Sequence, residues 1–281
     1  MLELKKAQRK KVKLRLNISA PSGAGKTYSS LLMAKGLCGD WSKVAVIDTE
    51  NGSASLYSDL GEFSVIDLTA PYTPEKYTQA LNMCEQAGME VVIIDSTTHE
   101  WACLIEENEV LSQAKFRGNA WSAWSQTTPR HDKFIQSILQ SNVHVITCTR
   151  SKMETVMTED KKVKKVGMKD VQREGWEYEL TISLNIDRDT HMAIASKDRT
   201  NLFENINPFV ITEATGKQIA NWCDSGVSEL AIAINEMEIV ANIEDLKNCW
   251  SRYKNLQTKK DFIKIKDERK QVLTLKTESN E

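Results

Sequence analysis

The sequence predicts an α/β fold with a mostly parallel central sheet, an antiparallel hairpin at one edge and a small helical appendage at the C-terminal end. Two short apolar runs, from Lys43 to Asp48 and from Val91 to Asp95, each end in an aspartate, which is typical of strands buried on both faces of a parallel sheet. Segments with helical periodicity separate them. The alternation from 177 to 187, a turn and a second run from 191 to 197 indicate the hairpin.

Composition excludes several classes of protein. With 41% hydrophobic and 27% charged residues and a net charge of −2, the chain predicts no global affinity for nucleic acid or membrane. No apolar run approaches the roughly 20 residues that span a bilayer, and the N-terminus lacks a signal-peptide core, so we expect a cytoplasmic protein with no membrane partner. The six cysteines are scattered without a C-x-x-C spacing, which predicts reduced thiols and no zinc site.

A glycine-rich stretch from Ser19 to Thr27 follows the alternation of Val12, Leu14, Leu16 and Ile18 and precedes an apolar-rich helical run from 28 to 37. Strand, glycine-rich loop and helix in this order predict a phosphate-binding loop, because glycines permit the curl that points backbone N–H groups at an anion. Lys26 adds a positive charge, and the Thr27 hydroxyl can hold Mg²⁺. Ala20 stands where the pattern G-x-x-x-x-G-K-[ST] has glycine, and a chance Gly/Ser turn is the alternative. The expected phosphate contacts are Pro21, Ser22, Gly23, Ala24, Gly25, Lys26, Thr27 and Tyr28.

Carboxylates follow the two apolar strands. Asp48 and Glu50 form a polar rim after the first, and a surface turn is the alternative interpretation. Asp95 ends the second strand, where a carboxylate opposite Thr27 coordinates Mg²⁺ in P-loop proteins. Because parallel strands place their carboxyl ends at one edge of the sheet, these side chains are expected to meet the loop.

The remaining elements are predicted from periodicity and breakers. We expect a strand at 63–68, a helix from Thr73 and Pro74 to Ala87, a helix from Thr98 to Lys115, a helix opening at Thr128 and Pro129, and a strand from Val143 to Thr149 that leads to Arg150. His144 is interpreted as a core histidine. Trp121 and Trp124 are interpreted first as packing residues and second as contacts for a base or a partner.

The stretch from 153 to 175 breaks the pattern because it is rich in lysine and long for a loop. Its lysines are Lys161, Lys162, Lys164, Lys165 and Lys169. A charged hairpin without a specific role and a functional loop that engages phosphates are both compatible with it.

Two cations, Lys197 and Arg199, follow the second hairpin strand. A solvated turn is one interpretation, and a pair of fingers that reaches the γ-phosphate of a neighbouring subunit is the other. Beyond Gly226, apolar residues recur at helical spacing among charged ones, which predicts two or three short amphipathic helices. We therefore divide the chain into a larger α/β domain at 1–225, which carries the phosphate-binding loop, and a helical appendage at 226–281.

The sequence fits two other classes of P-loop protein, the GTPases and the nucleotide kinases, less well. A GTPase needs an N/T-K-x-D motif after a buried strand, whereas Thr258 to Asp261 lies among the charged C-terminal helices. A nucleotide kinase needs an arginine-rich lid, and the segment from 161 to 169 contains lysines instead, although this does not exclude a kinase.

The motifs together resemble the RecA-like P-loop ATPases, and within them the phage nucleotide-binding proteins that include RecA-like single-strand annealing recombinases. The resemblance covers about residues 12 to 225. Its motifs are the stretches from Ala20 to Thr27, Val46 to Glu50, Ile93 to Ser96, Thr147 to Arg150 and Lys197 to Arg199.

The resemblance implies an Mg²⁺-dependent ATPase of phage DNA recombination, repair or replication, located in the host cytosol. Its implied partners are single-stranded DNA, further copies in a ring or filament, and phage single-strand-binding or replication proteins.

The resemblance also assigns roles to residues. It implies Glu50 as the base that orients water, Lys26 between the β- and γ-phosphates, Asp95 and Thr27 at Mg²⁺, and Lys197 with Arg199 acting in trans. Arg150 would end a sensor strand that responds to the γ-phosphate, although Cys148 stands where an amide is expected. Glu100 is a weaker candidate base. A slow ATP-dependent switch or scaffold that recruits proteins through the C-terminal helices is the main alternative function, and a nucleotide kinase is the other.

Overall fold

The computed structural model describes residues 10–157, 163–204 and 206–278. The strands are β1 (Arg15–Ala20), β2 (Val44–Asp48), β3 (Ser64–Asp67), β4 (Val91–Asp95), β5 (His144–Met157), β6 (Val163–Asp170), β7 (Ile182–Ile186) and β8 (Ala193–Asp198). The helices are α1 (Lys26–Cys38), α2 (Pro74–Gln86), α3 (Thr98–Lys115), α4 (Ala120–Gln140), α5 (Glu213–Asp224), α6 (Glu229–Ile239), α7 (Ile243–Arg252) and α8 (Lys260–Glu278). Within the described ranges, no helix has the length and apolar character needed to span a bilayer.

The chain divides into two compact units. The larger unit is Lys13–Trp222, and the smaller contains Lys10 to Val12 together with the described residues from Cys223 onward.

The larger unit is built on one sheet with the strand order β3-β2-β4-β5-β1-β7-β8. The first six of these strands run parallel, and β8 runs antiparallel to β7 at the edge. Strands β2 and β4 are apolar up to their final aspartates and are buried along their whole length, as a two-sided sheet requires. Strand β1 is equally buried, although the polar residues Arg15, Asn17 and Ser19 alternate with its apolar ones. This confirms the predicted α/β class, the mostly parallel sheet and the antiparallel edge pair.

The register brings the predicted strand ends into one row. Asp48 pairs with Asp95, and Asp95 pairs with Cys148. Two residues further on, Ala20 at the end of β1 pairs with Arg150 in β5. The loop after β1 and the acids after β2 and β4 therefore share one edge of the sheet.

Helix α1 continues through Gly36 and stops before Gly39. Gly39 is the left-handed residue after the helix, with φ 73°, and its N–H donates to the Lys35 carbonyl. Gly36 lies inside the helix because α5 crosses it there. A β-carbon at Gly36 would lie 2.0 Å from the Glu213 oxygen and 2.8 Å from the Gly216 α-carbon. The pair of glycines thus allows the two helix backbones to touch.

The prediction that a helix opens at Thr128 was wrong. Helix α4 begins at Ala120, and Pro129 lies inside it. Asn119 caps its first turn by accepting a hydrogen bond from Ser122 N at 3.1 Å. Buried side chains on both sides of the proline, including Ala123, Thr127 and His131, hold the helix against its neighbours. Tertiary packing therefore outweighs the hydrogen bond that proline removes.

The segment after Arg150 is a regular antiparallel hairpin. Strand β5 continues past the sheet edge to Met157, and β6 returns along it with a bulge near Glu154. Lys161 and Lys162 lie outside the described residues, as do the side chains of Lys164 and Lys165.

Only the second half of the predicted strand from 177 to 187 is a strand in the structure. Trp176–Glu179 forms a 3-10 turn, and β7 begins only at Ile182. Gly175, with φ 88°, starts the turn, and buried Trp176 and Leu180 fix it to the core. The apolar alternation therefore reflects the anchor Leu180 as well as the strand.

The smaller unit contains three helices from Glu229 onward within the described residues, in agreement with the predicted helical appendage. Their apolar faces form a cluster of buried residues of their own: Ala233, Met237, Leu246, Cys249, Tyr253, Leu256, Phe262 and Leu273. The side chains of Ser228 and Asn242 cap α6 and α7 by accepting N–H bonds at 3.2 and 2.8 Å.

Candidate nucleotide site

The loop between β1 and α1 has the backbone of a phosphate cradle. Gly23 and Gly25 have φ of 79° and 86°, a region that disfavours residues with a β-carbon. Lys26 begins the helix, and its Nζ donates to the carbonyl oxygens of Ala20 and Pro21, each at 3.2 Å. Ala20 is 1% exposed at the end of β1, so its methyl group packs in the core and leaves the cradle intact.

Thr27 and Asp95 meet below the loop. Thr27 Oγ1 donates to Asp95 Oδ2 at 2.5 Å, although the two residues are 68 positions apart. Asp95 is 1% exposed, and its Oδ1 is buried without a hydrogen-bond partner among the described residues. Burial raises the pKa of Asp95 to about 6, against the opposing effects of Thr27 and Lys26.

This pair fits Mg²⁺. A carboxylate oxygen and a hydroxyl are hard oxygen ligands, and Mg²⁺ takes one or two protein oxygens together with phosphates and water. The orphaned Oδ1 of Asp95 is an acceptor that a cation would satisfy. A cation beside Asp95 would also keep the buried carboxyl ionised.

Glu50 lies on the same edge and is held from three sides. Arg150 Nε donates to Oε1 at 2.9 Å, and a second guanidinium nitrogen donates to Oε2. Ser96 Oγ donates to Oε1 at 3.3 Å, and His99 Nε2 lies 3.9 Å from it. Burial opposes the ionisation of Glu50, but the hydrogen bond and charge of Arg150 outweigh it and hold the pKa of Glu50 below its ordinary value.

Asp48 positions Glu50. Its Oδ1 accepts the Glu50 N–H at 2.6 Å, and its Oδ2 accepts the Ala54 N–H at 2.8 Å. Both oxygens therefore bond to the backbone, and Asp48 shapes the turn that carries Glu50. Asp48 is only 2% exposed, so it belongs to the interior of the strand end, and of the two acids only Glu50 lies on the rim after β2.

Glu100 is bonded to His131 inside the core, so it is not available as a substitute base. It is fully buried, and His131 Nδ1 lies 3.0 and 3.2 Å from its two oxygens. Burial raises the pKa of Glu100, partly offset by His131. The pair joins α3 to α4 inside the core.

Cys148 on β5 packs against α1. Its Sγ lies 3.2 Å from Ser30 Oγ, and burial raises its pKa well above the ordinary thiol value. An amide beside β5 comes from Asn17 on β1, which donates to Thr149 Oγ1 at 2.9 Å and accepts from Thr147 Oγ1 at 2.9 Å. Cys148 itself faces the opposite side of the strand.

Asp170 is a site residue that the sequence pattern did not indicate. It ends β6 and accepts from Asn17 Nδ2 at 3.1 Å and from the Ser19 hydroxyl, which lies directly before the loop. Burial raises the pKa of Asp170. The alternation of polar Asn17 and Ser19 with buried Leu16 and Ile18 is the signal that could have revealed this polar strip.

The β7–β8 turn also reaches the loop. His191 Nδ1 lies 3.2 Å from the Ala24 carbonyl oxygen and 3.8 Å from where a β-carbon on Gly25 would lie. At the other side of the site, Tyr28 is 42% exposed, and its ring centroid lies 5.8 Å from that of Tyr57. Nothing in the spacing of the sequence marked His191 or Tyr57 as neighbours of the loop.

Lys197 and Arg199 lie at the opposite edge of the sheet. Lys197 pairs with Ser183, which pairs with Asn17, three residues before Ala20. A strand rises about 3.3 Å per residue, so Lys197 lies about 10 Å from the level of Ala20, measured along β1 towards its first residue. Arg199 lies further in the same direction. Lys197 Nζ and an Arg199 nitrogen both donate to the Tyr178 carbonyl, at 2.7 and 2.8 Å. These cations do not meet the loop of their own chain.

A parallel α/β sheet, a glycine loop opening a helix, and a buried Thr27–Asp95 pair at the strand ends define a P-loop nucleotide-binding protein. A family model described as an AAA domain matches residues 12–205, which is more than half of the chain. The chain belongs to this family of P-loop ATPases. A search of curated proteins finds no match.

Proposed function

We propose that the chain is an Mg²⁺-dependent ATPase that acts on single-stranded DNA as an oligomer, in phage DNA recombination, repair or replication. One observation carries the proposal: Glu50 is bonded to Arg150, the residue at which β5 leaves the sheet as a basic hairpin. This ion pair therefore joins a carboxylate that is suited to orienting water to a segment that is suited to binding phosphates.

The hydrolytic roles follow from position. Lys26 supplies a charge at the loop for the β- and γ-phosphates of ATP, and the loop N–H groups supply donors. Glu50 orients and deprotonates the attacking water, for which its low pKa keeps it ionised. Thr27 and Asp95 hold Mg²⁺, which neutralises charge on the phosphates when it is bound.

The DNA-binding role rests on the hairpin. Lys152 and Lys169 are exposed on its two strands and directly paired in the register. Lysine charges of this kind hold phosphates and give a salt-sensitive affinity.

The oligomer rests on the location of Lys197 and Arg199. Since they lie at the edge of the sheet opposite their own loop, they serve a site only if it belongs to another copy, as in a ring or filament. Phage single-strand-binding or replication proteins are further proposed partners, for which the C-terminal helices provide a surface.

A second candidate function is a slow ATP-dependent switch or scaffold. The same Glu50–Arg150 ion pair favours it, because a carboxylate that holds a guanidinium at two points is less free to orient water. In this function, nucleotide binding would change the contact and hydrolysis would reset it slowly.

The deciding experiment measures ATP hydrolysis with and without oligodeoxythymidylate at low and moderate salt. The ATPase function predicts turnover that Lys26→Ala lowers by about 10²–10³-fold, as removal of one preorganised charge does. Lys35→Ala, which changes a lysine on the same helix that donates to the Gly39 carbonyl, is the matched control. Undiminished turnover in Lys26→Ala contradicts the mechanism.

The DNA-binding arm uses the hairpin. Lys152→Glu with Lys169→Glu should weaken stimulation by the oligonucleotide and reduce the salt slope of its affinity by about 0.7 for each phosphate that is no longer neutralised. Lys217→Glu, exposed on α5, is the control. If wild-type protein neither binds the oligonucleotide nor is stimulated by it at low salt, the DNA function is wrong and the switch is favoured.

A further inference from the structure

Three tryptophans gather around one surface pocket of the larger unit. The pocket has a volume of about 320 Å³ and is lined by Trp101, Trp121, Trp124, Thr128 and Arg173. Trp101 lies in the first turn of α3, and the other two lie one turn apart in the first half of α4. We define these three tryptophans as the tryptophan patch.

The patch is only partly explained by packing. Trp101 and Trp124 stack with ring centroids 5.4 Å apart and an interplanar angle of 18°. Trp101 also contacts His131, at 5.4 Å between centroids, and both rings help to join α3 to α4. Trp121 is different, because it is 86% exposed and gains little from the core. A solvent-exposed indole beside two stacked indoles indicates a surface that binds a ligand or a partner.

The pocket adjoins the base of the basic hairpin. Arg173 follows the last residue of β6 by three positions, and the preceding Gln172 donates from Nε2 to the Thr97 carbonyl at 3.0 Å. Thr97 in turn lies two residues after Asp95. The hairpin base, the patch and the nucleotide edge of the sheet are therefore contiguous within this unit.

The charge at the pocket suits an anion. Arg173 Nη1 donates to Asp132 at 3.0 Å, and the Arg173 side chain is 37% exposed. A guanidinium has five N–H donors, so this bond leaves capacity for a phosphate. Lys152 and Lys169 are exposed on the two strands of the adjoining hairpin, and Lys169 Nζ also donates to Glu154 Oε1 at 3.2 Å.

We infer that the tryptophan patch is a stacking platform for the bases of a single-stranded nucleic acid whose phosphates are held by Arg173 and the hairpin lysines. This combination of planar aromatic faces beside a basic track is the arrangement that binds single strands without sequence preference. The inference rests on the proposed DNA-binding function and names the surface that contacts the bases. An aromatic patch for a protein partner would not require the adjoining cations.

The test separates bases from phosphates by using two probes of equal length, oligodeoxythymidylate and an abasic oligonucleotide. Binding to each is measured by fluorescence anisotropy with ATP and Mg²⁺ for the full chain and for Trp121→Ala. Trp121 is the chosen position because its exposure means that its removal leaves the fold intact. Trp121→Ala should raise the Kd for oligodeoxythymidylate by about 5- to 150-fold, the range expected when one base no longer stacks on an aromatic ring.

The same variant should leave the Kd for the abasic probe within about twofold, because the phosphate contacts remain. Trp121→Phe keeps a stacking ring and should recover most of the affinity. Val110→Ala, which removes an exposed apolar side chain of α3 outside the pocket, should change neither Kd. Basal ATP hydrolysis without DNA should be the same in all of these proteins.

The outcomes distinguish this inference from the proposed function. If wild-type protein binds oligodeoxythymidylate and Trp121→Ala binds it equally well, the platform is wrong while the DNA-binding function stands. An equal decrease in affinity for both probes also overturns the platform, because it places the defect in phosphate binding. If wild-type protein binds neither probe at low salt, both proposals are wrong.

Discussion

Arg150 and Glu50 form a two-point ion pair that joins the middle of β5 to the turn after β2, across the end of β4. The 2.9 Å bond from Arg150 Nε to Glu50 Oε1 is one half of this contact. Because the hairpin begins at Arg150, any change at Glu50 acts directly on the root of the hairpin. The pair is therefore the most direct connection between the proposed hydrolytic group and the proposed DNA-binding segment.

The Glu50–Arg150 pair should set the pH dependence of hydrolysis. Arg150 lowers the pKa of Glu50 against the effect of burial, so the carboxylate stays charged to lower pH than it otherwise would. Arg150→Ala should raise that pKa and move the acid limb of the kcat/KM profile for ATP hydrolysis to higher pH. The measured quantity is the pH at which the acid limb falls. The plateau rate is not used, because it also changes if Arg150 contacts the nucleotide.

The control is Glu50→Gln, which should bind ATP normally but hydrolyse it at least about 10²-fold more slowly. An acid limb that persists in its residual rate belongs to another group. An unchanged limb in Arg150→Ala contradicts the role of Glu50 as the titrating base.

A mixing experiment tests whether sites are shared between copies. Arg199→Ala keeps its own Glu50, and Glu50→Gln keeps its own Arg199. If Arg199 acts in trans, each variant should be inactive alone, and mixing them should restore part of the hydrolysis. Light scattering or ultracentrifugation must first show that the mixed proteins assemble. Assembly without recovered activity rules out the trans role.

The contact between α1 and α5 should be sensitive to a single methyl group. Gly36→Ala places a methyl group 2.0 Å from the Glu213 carbonyl oxygen, so the helices must separate. We expect a decrease of about 1–3 kcal/mol in the free energy of unfolding of the chain, as overpacking costs. Gly88→Ala is the matched control, because no atom lies within 4 Å of its added β-carbon. Its positive φ alone should cost about 1–2 kcal/mol.

Urea denaturation of the two variants measures the difference. Gly216→Ala should resemble Gly36→Ala, since the two glycines face each other. If Gly36→Ala is at least as stable as wild type, the close backbone approach is wrong, because alanine in place of an unhindered glycine inside a helix adds about 1 kcal/mol of stability.

An ion-pair cluster between α2, α3 and α4 should contribute to stability in a pH-dependent way. Arg130 on α4 donates to both oxygens of Glu75 on α2, at 2.7 and 2.9 Å, and lies 2.7 Å from a Glu107 oxygen on α3. The Arg130 hydrogen bond lowers the pKa of Glu75 from 4.5 to about 2. Since the folded-state pKa is depressed, the stabilisation is present above about pH 4.5 and is lost as the pH falls to about 2.

Glu75→Gln should therefore lower the free energy of unfolding at pH 7 by about 0.5–1 kcal/mol, because solvent weakens an exposed ion pair. The difference from wild type should vanish near pH 2. Glu106→Gln, which changes an exposed glutamate of α3, should show no such convergence. A constant difference across this pH range indicates that Glu75 acts through packing.

The sequence alone determined the class of fold and the centre of the site. Continuous apolar strands such as Val91–Asp95 leave no solvent-facing side, so they specify a two-sided parallel sheet. The loop before Lys26 has a left-handed backbone at two positions, and both are glycines. Because this conformation favours glycine, the sequence shows it directly. Local rules failed where packing outweighed them, as at Pro129 inside α4.

Tertiary structure alone decided which groups touch. The contacts of Thr27 with Asp95, of Glu50 with Arg150 and of Ser19 with Asp170 join residues 68, 100 and 151 positions apart. No local pattern fixes such distances, because they depend on the order and register of the strands between them. The same register placed Lys197 and Arg199 at the far edge of the sheet, although their sequence position is equally close to a strand end. Sequence specifies the elements through local conformational preference and burial, whereas the site forms from the alignment of strand ends across the sheet.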